Sequence, residues 1–546
     1  MGAAVAQSPG SHHGRAVLGR VAVVAGWVVL ALVAASALLI VWQFPSMLDE
    51  GAWNADSVMP WVLAQDYSSA SRAVGGQYAF PSILWFDLAT GWLPLHRMIW
   101  QLEPLAVALA ITGLVAWPVH RLAGRWAAAL AVAIVLCTSP WVMRTYFWSD
   151  FHTATFLAAA LLAAYLCALI LRPGLTRPAP LVASAVAVGV FAGLQLVDPL
   201  LIVCGLAPLA LAAVAWRLVE SSPRVNRALG GLALLVVVAV AIRFATKAIM
   251  DATGLVVDNP ARLVLTFDPD RIRGNVHLLA QMTFALGNGA LELGERGPVR
   301  GTLGVAAAGV MALCTITPVA LALDALVRIV RRRPLGALET AWRVFWGATV
   351  VGLVLAILFT TIATNIDTYR YIVPILFAGA ATAPLLLRHG PLVRTLALAA
   401  CAVYFLAGFV GLTDRTMIVN RGSNDRVLAQ LEGFARANGA TQGYGEYWFA
   451  SPITWQSHSR LVLRPVVSCS VVAVVMCRSA LGYDERWYRP RAGRTLLVWP
   501  PGGGLPKGFP APVATLHLGM LDGRDATAYV FDTDILPLIQ PPPKWD

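Results

Sequence analysis

The chain has 546 residues, 58% hydrophobic and 13% charged, with a net charge of +12. Soluble domains carry about 25% charged residues, so half that share, with repeated apolar runs near span length, excludes an ordinary soluble enzyme and defines a polytopic membrane protein. The positive charge does not signal nucleic acid, because many arginines fall in short gaps between apolar runs, which is the positive-inside pattern.

Residues 1–16 are small and polar and read as a cytoplasmic tail. The apolar run that follows is too long for the core of a secretory signal, and more apolar residues follow its weak Ala34-Ala35-Ser36 cleavage site. It is therefore span 1, over 18–44. Further spans are expected at 103–119, 126–143, 153–171, 180–197, 200–216, 228–249, 302–327, 343–363, 371–387 and 395–412, about eleven transmembrane helices in a domain covering 17–412. Two long polar loops interrupt them, 45–102 and 250–301. Residues 413–546 have no span. They mix short β-like runs (460–467, 470–476, 495–498, 526–531) with Gly/Pro punctuation and an amphipathic helix at 425–437, which predicts a small α/β domain.

Arginine-rich gaps follow spans 2, 4, 6, 8 and 10. A cytoplasmic N-terminus puts all five gaps inside and both long loops and the C-terminal domain outside, at a plasma membrane. Cys137, Cys167, Cys204, Cys314 and Cys401 lie in apolar runs, where cysteine acts as a small hydrophobe. Cys469 and Cys477 lie in the external tail, where a disulfide is the expected state and two free thiols in adjacent strands the alternative. No zinc spacing, P-loop, G-x-S-x-G, H-E-x-x-H or nucleotide-binding glycine motif is present. Gly502-Gly503-Gly504, flanked by prolines, reads as a turn.

The first external loop concentrates acids (Asp49, Glu50, Asp56, Asp66, Asp87) and aromatics (Trp53, Trp61, Tyr67, Tyr78, Phe80, Trp85, Phe86, Trp92). A connector this long is functional or disordered, and this one is too aromatic for disorder. Asp56 opens a stretch, 57–66, that reads as an amphipathic helix lying on the membrane. Asp56 is either its N-cap or a general base at the lipid–water boundary; Asp49 and Glu50 compete for that role. Asp150, His152, Asp198, Lys247, Asp367 and Arg370 fall at the same membrane level. Ionisable groups there are costly and mark substrate sites, although each alone could mark a helix boundary, and Asp367–Arg370 could be an i,i+3 ion pair. Arg370, Arg144, Lys247, Arg271, Arg273, Arg296 and Arg300 could bind phosphate.

A cytoplasmic start, one span, a long acidic external loop, many further spans and an external C-terminal domain together resemble the GT-C membrane glycosyltransferases. Asp49-Glu50 looks like that family's acidic pair after span 1, and Asp56 fits the same motif by register. Asp367-Thr-Tyr-Arg370-Tyr371-Ile-Val-Pro374 is similar to the Arg-Tyr-Leu-x-Pro start of a late span in bacterial members. Gly445-Glu446-Tyr447-Trp448, followed by Thr454 and Ser457, is similar to a Tyr-Trp segment in the soluble part of related proteins. The likeness covers most of the chain as architecture and rests on short motifs. It implies a polyprenyl-phosphate-linked sugar as donor, a glycan, lipid or protein acceptor in the cell envelope, membrane lipid as the surrounding partner, and a loop-1 carboxylate as base. It implies no nucleotide. The surplus of acids leaves room for a divalent metal, although no spacing identifies one. The Trp-Trp-Asp signature of oligosaccharyltransferases is missing, which disfavours protein N-glycosylation. The alternative readings are a transporter or flippase of a lipid-linked or anionic substrate, and a non-catalytic membrane scaffold.

Overall fold

The computed structural model describes residues 10–51, 53, 55, 58–59, 61–62, 71–72, 97–147, 152–253, 264–287, 298–364, 366–413, 421–469, 475–479, 483–500, 504–505, 508–521 and 524–541. In chain order the helices begin with α1 (Gly10–Gly51), α2 (Arg97–Ala123), α3 (Arg125–Leu136), α4 (Pro140–Phe147), α5 (Thr153–Leu171) and α6 (Pro178–Gln195). A π turn over Ile202–Leu206 leads into α7 (Ala207–Val219). Then come α8 (Pro223–Thr253), α9 (Pro269–Leu286), α10 (Pro298–Val330), α11 (Ala337–Phe359), α12 (Val373–Thr382), α13 (Pro391–Thr413), α14 (Arg421–Ala437) and α15 (Tyr447–Gln456).

Among the described residues, ten helices are long and apolar enough to cross a membrane. The third expected span, 126–143, is not one of them, because it is broken. Its first half, α3, has 12 residues, about 18 Å at 1.5 Å per residue and too short for a bilayer core. The break falls at Pro140, which lacks an N–H and disfavours the helical conformation at Ser139. Ser139 Oγ then accepts from the Val142 amide at 3.3 Å and caps α4. At the other extreme α1 outruns its expected end, passing through Pro45 to Gly51. The backbone at Asp49 and Glu50 is therefore its last turn and not the start of a loop.

Helix packing follows from small residues in the right places. Gly189 and Gly193 form a G-x-x-x-G stripe on α6, and a Cβ there would lie 2.8 Å from the Leu235 carbonyl and 2.6 Å from the Ala239 carbonyl of α8. Close backbone approach of this kind is how membrane helices associate when lipid is as apolar as their side chains.

One end of the bundle is held by arginines. Arg224 Nη2 donates to the carbonyls of Leu169 (2.8 Å) and Ile170 (2.6 Å), which satisfies the free C-terminal end of α5. Arg343, buried on α11, reaches Asp324 at 2.9 Å and Glu339 at 2.5 Å. Arg388 also reaches Glu339, at 3.1 Å. The network ties α10, α11 and the span Thr368–Arg388 together.

The opposite end carries the C-terminal domain. Its strands are β2 (Gln442–Glu446), β3 (Val462–Ser468), β4 (Met476–Arg478), β6 (Thr495–Trp499), β7 (Ala514–Leu521) and β8 (Arg524–Phe531). They form one sheet of order β4-β3-β2-β6-β8-β7, with β2 parallel to both β3 and β6. Gly443 lets β2 lie beside β6, since a Cβ there would collide with the Leu496 carbonyl. Cys469 and Cys477 are joined by a disulfide.

The described residues of the first loop between 53 and 72 pack on this domain. Trp53 joins the core formed by α14, α15 and one face of the sheet (Leu431, Phe449, Leu463, Leu496). Val58, Trp61 and Val62 join the core on the other face, with Tyr444, Val466, Leu497 and Trp499. Ala55 and Met59 pack on Tyr447. Two short strands, β1 (Ser71–Arg72) and β5 (Tyr483–Asp484), pair antiparallel and make a further link. The expected membrane-surface helix is thereby corrected: the apolar residues at 58, 59, 61 and 62 are at most 4% exposed and are buried in protein. Their periodicity is the same for either apolar partner.

Candidate functional site

Three connections meet at the end of the bundle that carries the C-terminal domain. α5 starts immediately after His152. Asp198 lies in the turn between α6 and the π turn, where Pro199 prevents the helix from simply continuing. The residues 366–372 form a 3₁₀ turn ahead of α12.

His152 and Asp198 are both buried, at 5% and 4% exposure. His152 Nδ1 donates to Asp198 Oδ2 at 2.6 Å, and Thr155 Oγ1 donates to the same oxygen at 2.8 Å. The other oxygen, Oδ1, accepts from the Leu200 amide at 3.0 Å. Burial alone would raise the Asp198 carboxyl. The His152 ring, the Thr155 hydroxyl and the Leu200 amide outweigh it and hold the group below the ordinary carboxylate range. An ionised carboxylate is the state that can accept all three hydrogen bonds.

The Tyr371 ring meets the His152 ring edge-on, with centroids 4.6 Å apart. The Arg370 guanidinium lies 5.7 Å from the centroid of the Tyr371 ring. Asp198, His152, Tyr371 and Arg370 thus form one chain of contacts from the bundle interior to a cation. The same 3₁₀ turn is pinned on two further sides. Tyr369 OH donates to the Trp141 carbonyl at 3.0 Å, and the two rings meet at right angles. Trp141 is available there because the chain breaks at Pro140. From the second loop, α9 lies against the segment just before the turn: Arg271 Nη2 donates to the Ala363 carbonyl at 2.8 Å, and Asn275 Nδ2 to those of Leu358 and Thr360 at 3.0 Å.

Of the residues expected from the sequence, His152, Asp198 and Arg370 are brought together. Lys247 stands exposed on α8. Arg273 is paired with Asp270 on the exposed side of α9. Asp49, Glu50, Arg144, Asp367 and Arg300 have described backbones only, and Asp56, Asp150 and Arg296 lie outside the described residues. Thr155 is a residue the sequence reading passed over, and Tyr371, present there in the Asp367–Pro374 motif, was given no role of its own. Thr155 sits three positions after His152, on the same helix face, which is a signal that was there to use. Among the described residues no group of three His, Cys, Asp or Glu side chains is placed to hold a metal.

The Gly445–Trp448 segment has a structural function. Glu446 Oε2 accepts from the Trp448 amide at 3.0 Å and caps α15. Thr454 exchanges hydrogen bonds with the backbone of Leu463, and Ser457 does so with Leu461, which fastens α15 to β3. Burial pushes the Glu446 carboxyl from 4.5 up to about 7, against the Trp448 amide and the Arg524 guanidinium, both of which favour its charged form. The fold therefore binds the Glu446 proton more tightly than the unfolded chain does. This contribution to stability is complete below pH 4.5 and is lost as pH rises through 7. Glu446→Gln, which keeps an acceptor oxygen for the cap, should remove that loss. The variant is expected to exceed the wild type at pH 8 by about 1–2 kcal/mol in chemical denaturation of the full chain in detergent. Equal slopes of stability against pH in the two proteins would contradict it.

Fold and site define a class: a polytopic helical membrane protein with a buried carboxylate–imidazole pair and an arginine at one bundle end, beside a soluble α/β domain. No protein-family model matches the chain, and no curated protein matches it. It is similar to two solved structures of ArnT from Cupriavidus metallidurans. The apo structure is 16% identical at a TM-score of 0.44, covering 93% of this chain and 98% of that one. The structure bound to undecaprenyl phosphate is 13% identical at a TM-score of 0.46, covering 92% and 98%. At these identities and TM-scores neither structure assigns a role to any residue of this chain.

Proposed function

We propose that this protein is an integral membrane glycosyltransferase that moves a sugar from a polyprenyl-phosphate donor to an external glycan, lipid or protein acceptor. The observation that carries the reading is the convergence of Asp198, His152, Tyr371 and Arg370 at the bundle end where the first loop and the C-terminal domain lie. Ionisable groups buried where spans end at the membrane boundary are costly and mark function. A guanidinium at the membrane boundary suits the phosphate of a lipid whose tail stays in the bilayer. The sequence resemblance to GT-C enzymes supports the same donor class.

In this reading the arginine-rich end is cytoplasmic and the other end external, where the Cys469–Cys477 disulfide is at home. A loop-1 carboxylate, from Asp56 or from the Asp49–Glu50 pair, takes the proton of the acceptor hydroxyl. The acceptor oxygen bonds to the anomeric carbon as the bond from that carbon to the phosphate oxygen breaks. The electron pair leaves on the lipid phosphate, which Arg370 stabilises, and the anomeric configuration inverts.

Proteoliposomes test this against carriage of the lipid across the bilayer. They would be loaded with polyprenyl-phosphate sugars labelled in the sugar. Label arriving on an acceptor, with free polyprenyl phosphate released in equal amount, supports transfer. Intact donor appearing in the opposite leaflet, with no labelled acceptor, would replace the enzyme by a flippase.

A further inference from the structure

We propose that Asp198 and His152 are positioning residues, which fix Tyr371 and through it the Arg370 guanidinium for a lipid phosphate. The inference rests on the function proposed above only for the identity of that phosphate; the linkage itself is read from the geometry.

Asp198 touches neither Tyr371 nor Arg370 through any of its three hydrogen bonds, which go to His152, Thr155 and Leu200. What it does is lock one imidazole. With Nδ1 held at 2.6 Å and the ring buried, His152 has one orientation. The locked ring meets the Tyr371 ring at 67°, a T-shaped arrangement that depends on both planes. Phe156 also packs on the imidazole, with its ring stacked 6.1 Å from that of His152. Tyr371 belongs to the same 3₁₀ turn as Arg370 and carries its guanidinium. Rotation of His152 would therefore be passed through two rings to the cation. A buried ion pair is weak grounds for stability, since an apolar pair of the same volume serves as well. Its presence here is accounted for by the precision it gives to what it holds.

The test uses the full chain in nanodiscs, with decaprenyl phosphate as the probe and uncharged decaprenol as the control. Displacement of a binding group by about 1 Å can cost on the order of 100-fold. Asp198→Asn is expected to weaken decaprenyl phosphate binding by about 10- to 100-fold and to leave decaprenol unchanged. Thr155→Val should act in the same direction and more weakly, and Thr155→Ser, which restores the hydroxyl, should recover wild-type binding. The decisive comparison is a double-mutant cycle. If Asp198 acts through Arg370, then Asp198→Asn adds nothing to Arg370→Ala. A purely structural residue would give additive losses and would weaken decaprenol as well, and either result overturns the proposal. If Asp198→Asn does not fold, the cycle is run with Thr155→Val. Coupled losses in a protein that transfers no sugar would leave the positioning intact and remove the glycosyltransferase reading. Sugar transfer with an additive cycle would do the reverse.

Discussion

Asp56→Asn, or else Asp49→Asn combined with Glu50→Gln, is expected to lower sugar transfer by about 10²- to 10⁴-fold, the range over which a positioned general base contributes. Donor binding should survive, because in the proposed mechanism the base acts on the acceptor hydroxyl while Arg370 holds the donor's phosphate. The two candidates differ in setting. The backbone at Asp49 and Glu50 is the last turn of α1, so substitutions there sit on a helix end. Asp56 follows Ala55 and precedes Val58 in sequence, both of which are fully buried in contact with the C-terminal domain. Steady-state transfer rates, measured beside equilibrium donor binding, separate a lost base from a lost site. Both variants turning over like the wild type would remove the loop-1 carboxylate from the mechanism.

Trp61→Ala should be the most damaging substitution to the C-terminal domain and the loop packed on it. The side chain is fully buried, and its ring lies 5.1 Å from that of Trp455, in a core shared with Tyr444, Val466, Leu497 and Trp499. Truncating a buried tryptophan costs about 3–5 kcal/mol, and a lost aromatic contact adds about 0.5–1.5 kcal/mol. Trp61→Phe keeps most of the volume and should cost less than half as much. Because Trp61 stitches the first loop to the sheet, the expected signature is cleavage of that loop by protease at concentrations that leave the wild type whole, together with a lowered melting temperature of the purified protein. A Trp61→Ala chain as resistant as the wild type would show that the loop does not depend on the domain.

The membrane architecture was legible because length and hydropathy of a span are local properties. The one miss, at 126–143, falls at Ser139-Pro140, where the Ser139 hydroxyl caps a new helix; α10 runs unbroken through Thr317-Pro318, so the proline alone did not mark the break. The G-x-x-x-G spacing of Gly189 and Gly193 is also in the sequence, but only the packed bundle shows α8 as its partner. In the C-terminal domain β3, β6 and β8 followed from their β-branched runs, whereas β2 reads Gln-Gly-Tyr-Gly-Glu and has no strand propensity of its own. Its Gly443 makes sense only beside Leu496, a neighbour more than 50 residues away. The candidate site divides in the same manner. That His152, Asp198 and Arg370 share one membrane level could be counted from the spans. That they touch through Tyr371 could not, because ring contacts between separate helix ends are set by how the whole bundle packs. The partner of the apolar face at 58–62 was equally hidden, since bilayer and protein core select the same pattern.

The central claim is that the chain transfers a sugar, and one measurement addresses it directly. A nanodisc has no second compartment, so carriage across a bilayer leaves no signal there and any labelled acceptor reports chemistry. The wild-type protein in nanodiscs would be given a panel of sugar-labelled polyprenyl phosphates and cell-envelope acceptors. The account predicts labelled acceptor of inverted anomeric configuration and one free lipid phosphate for each sugar moved. No transfer from any donor, by a protein that still binds decaprenyl phosphate, would contradict it.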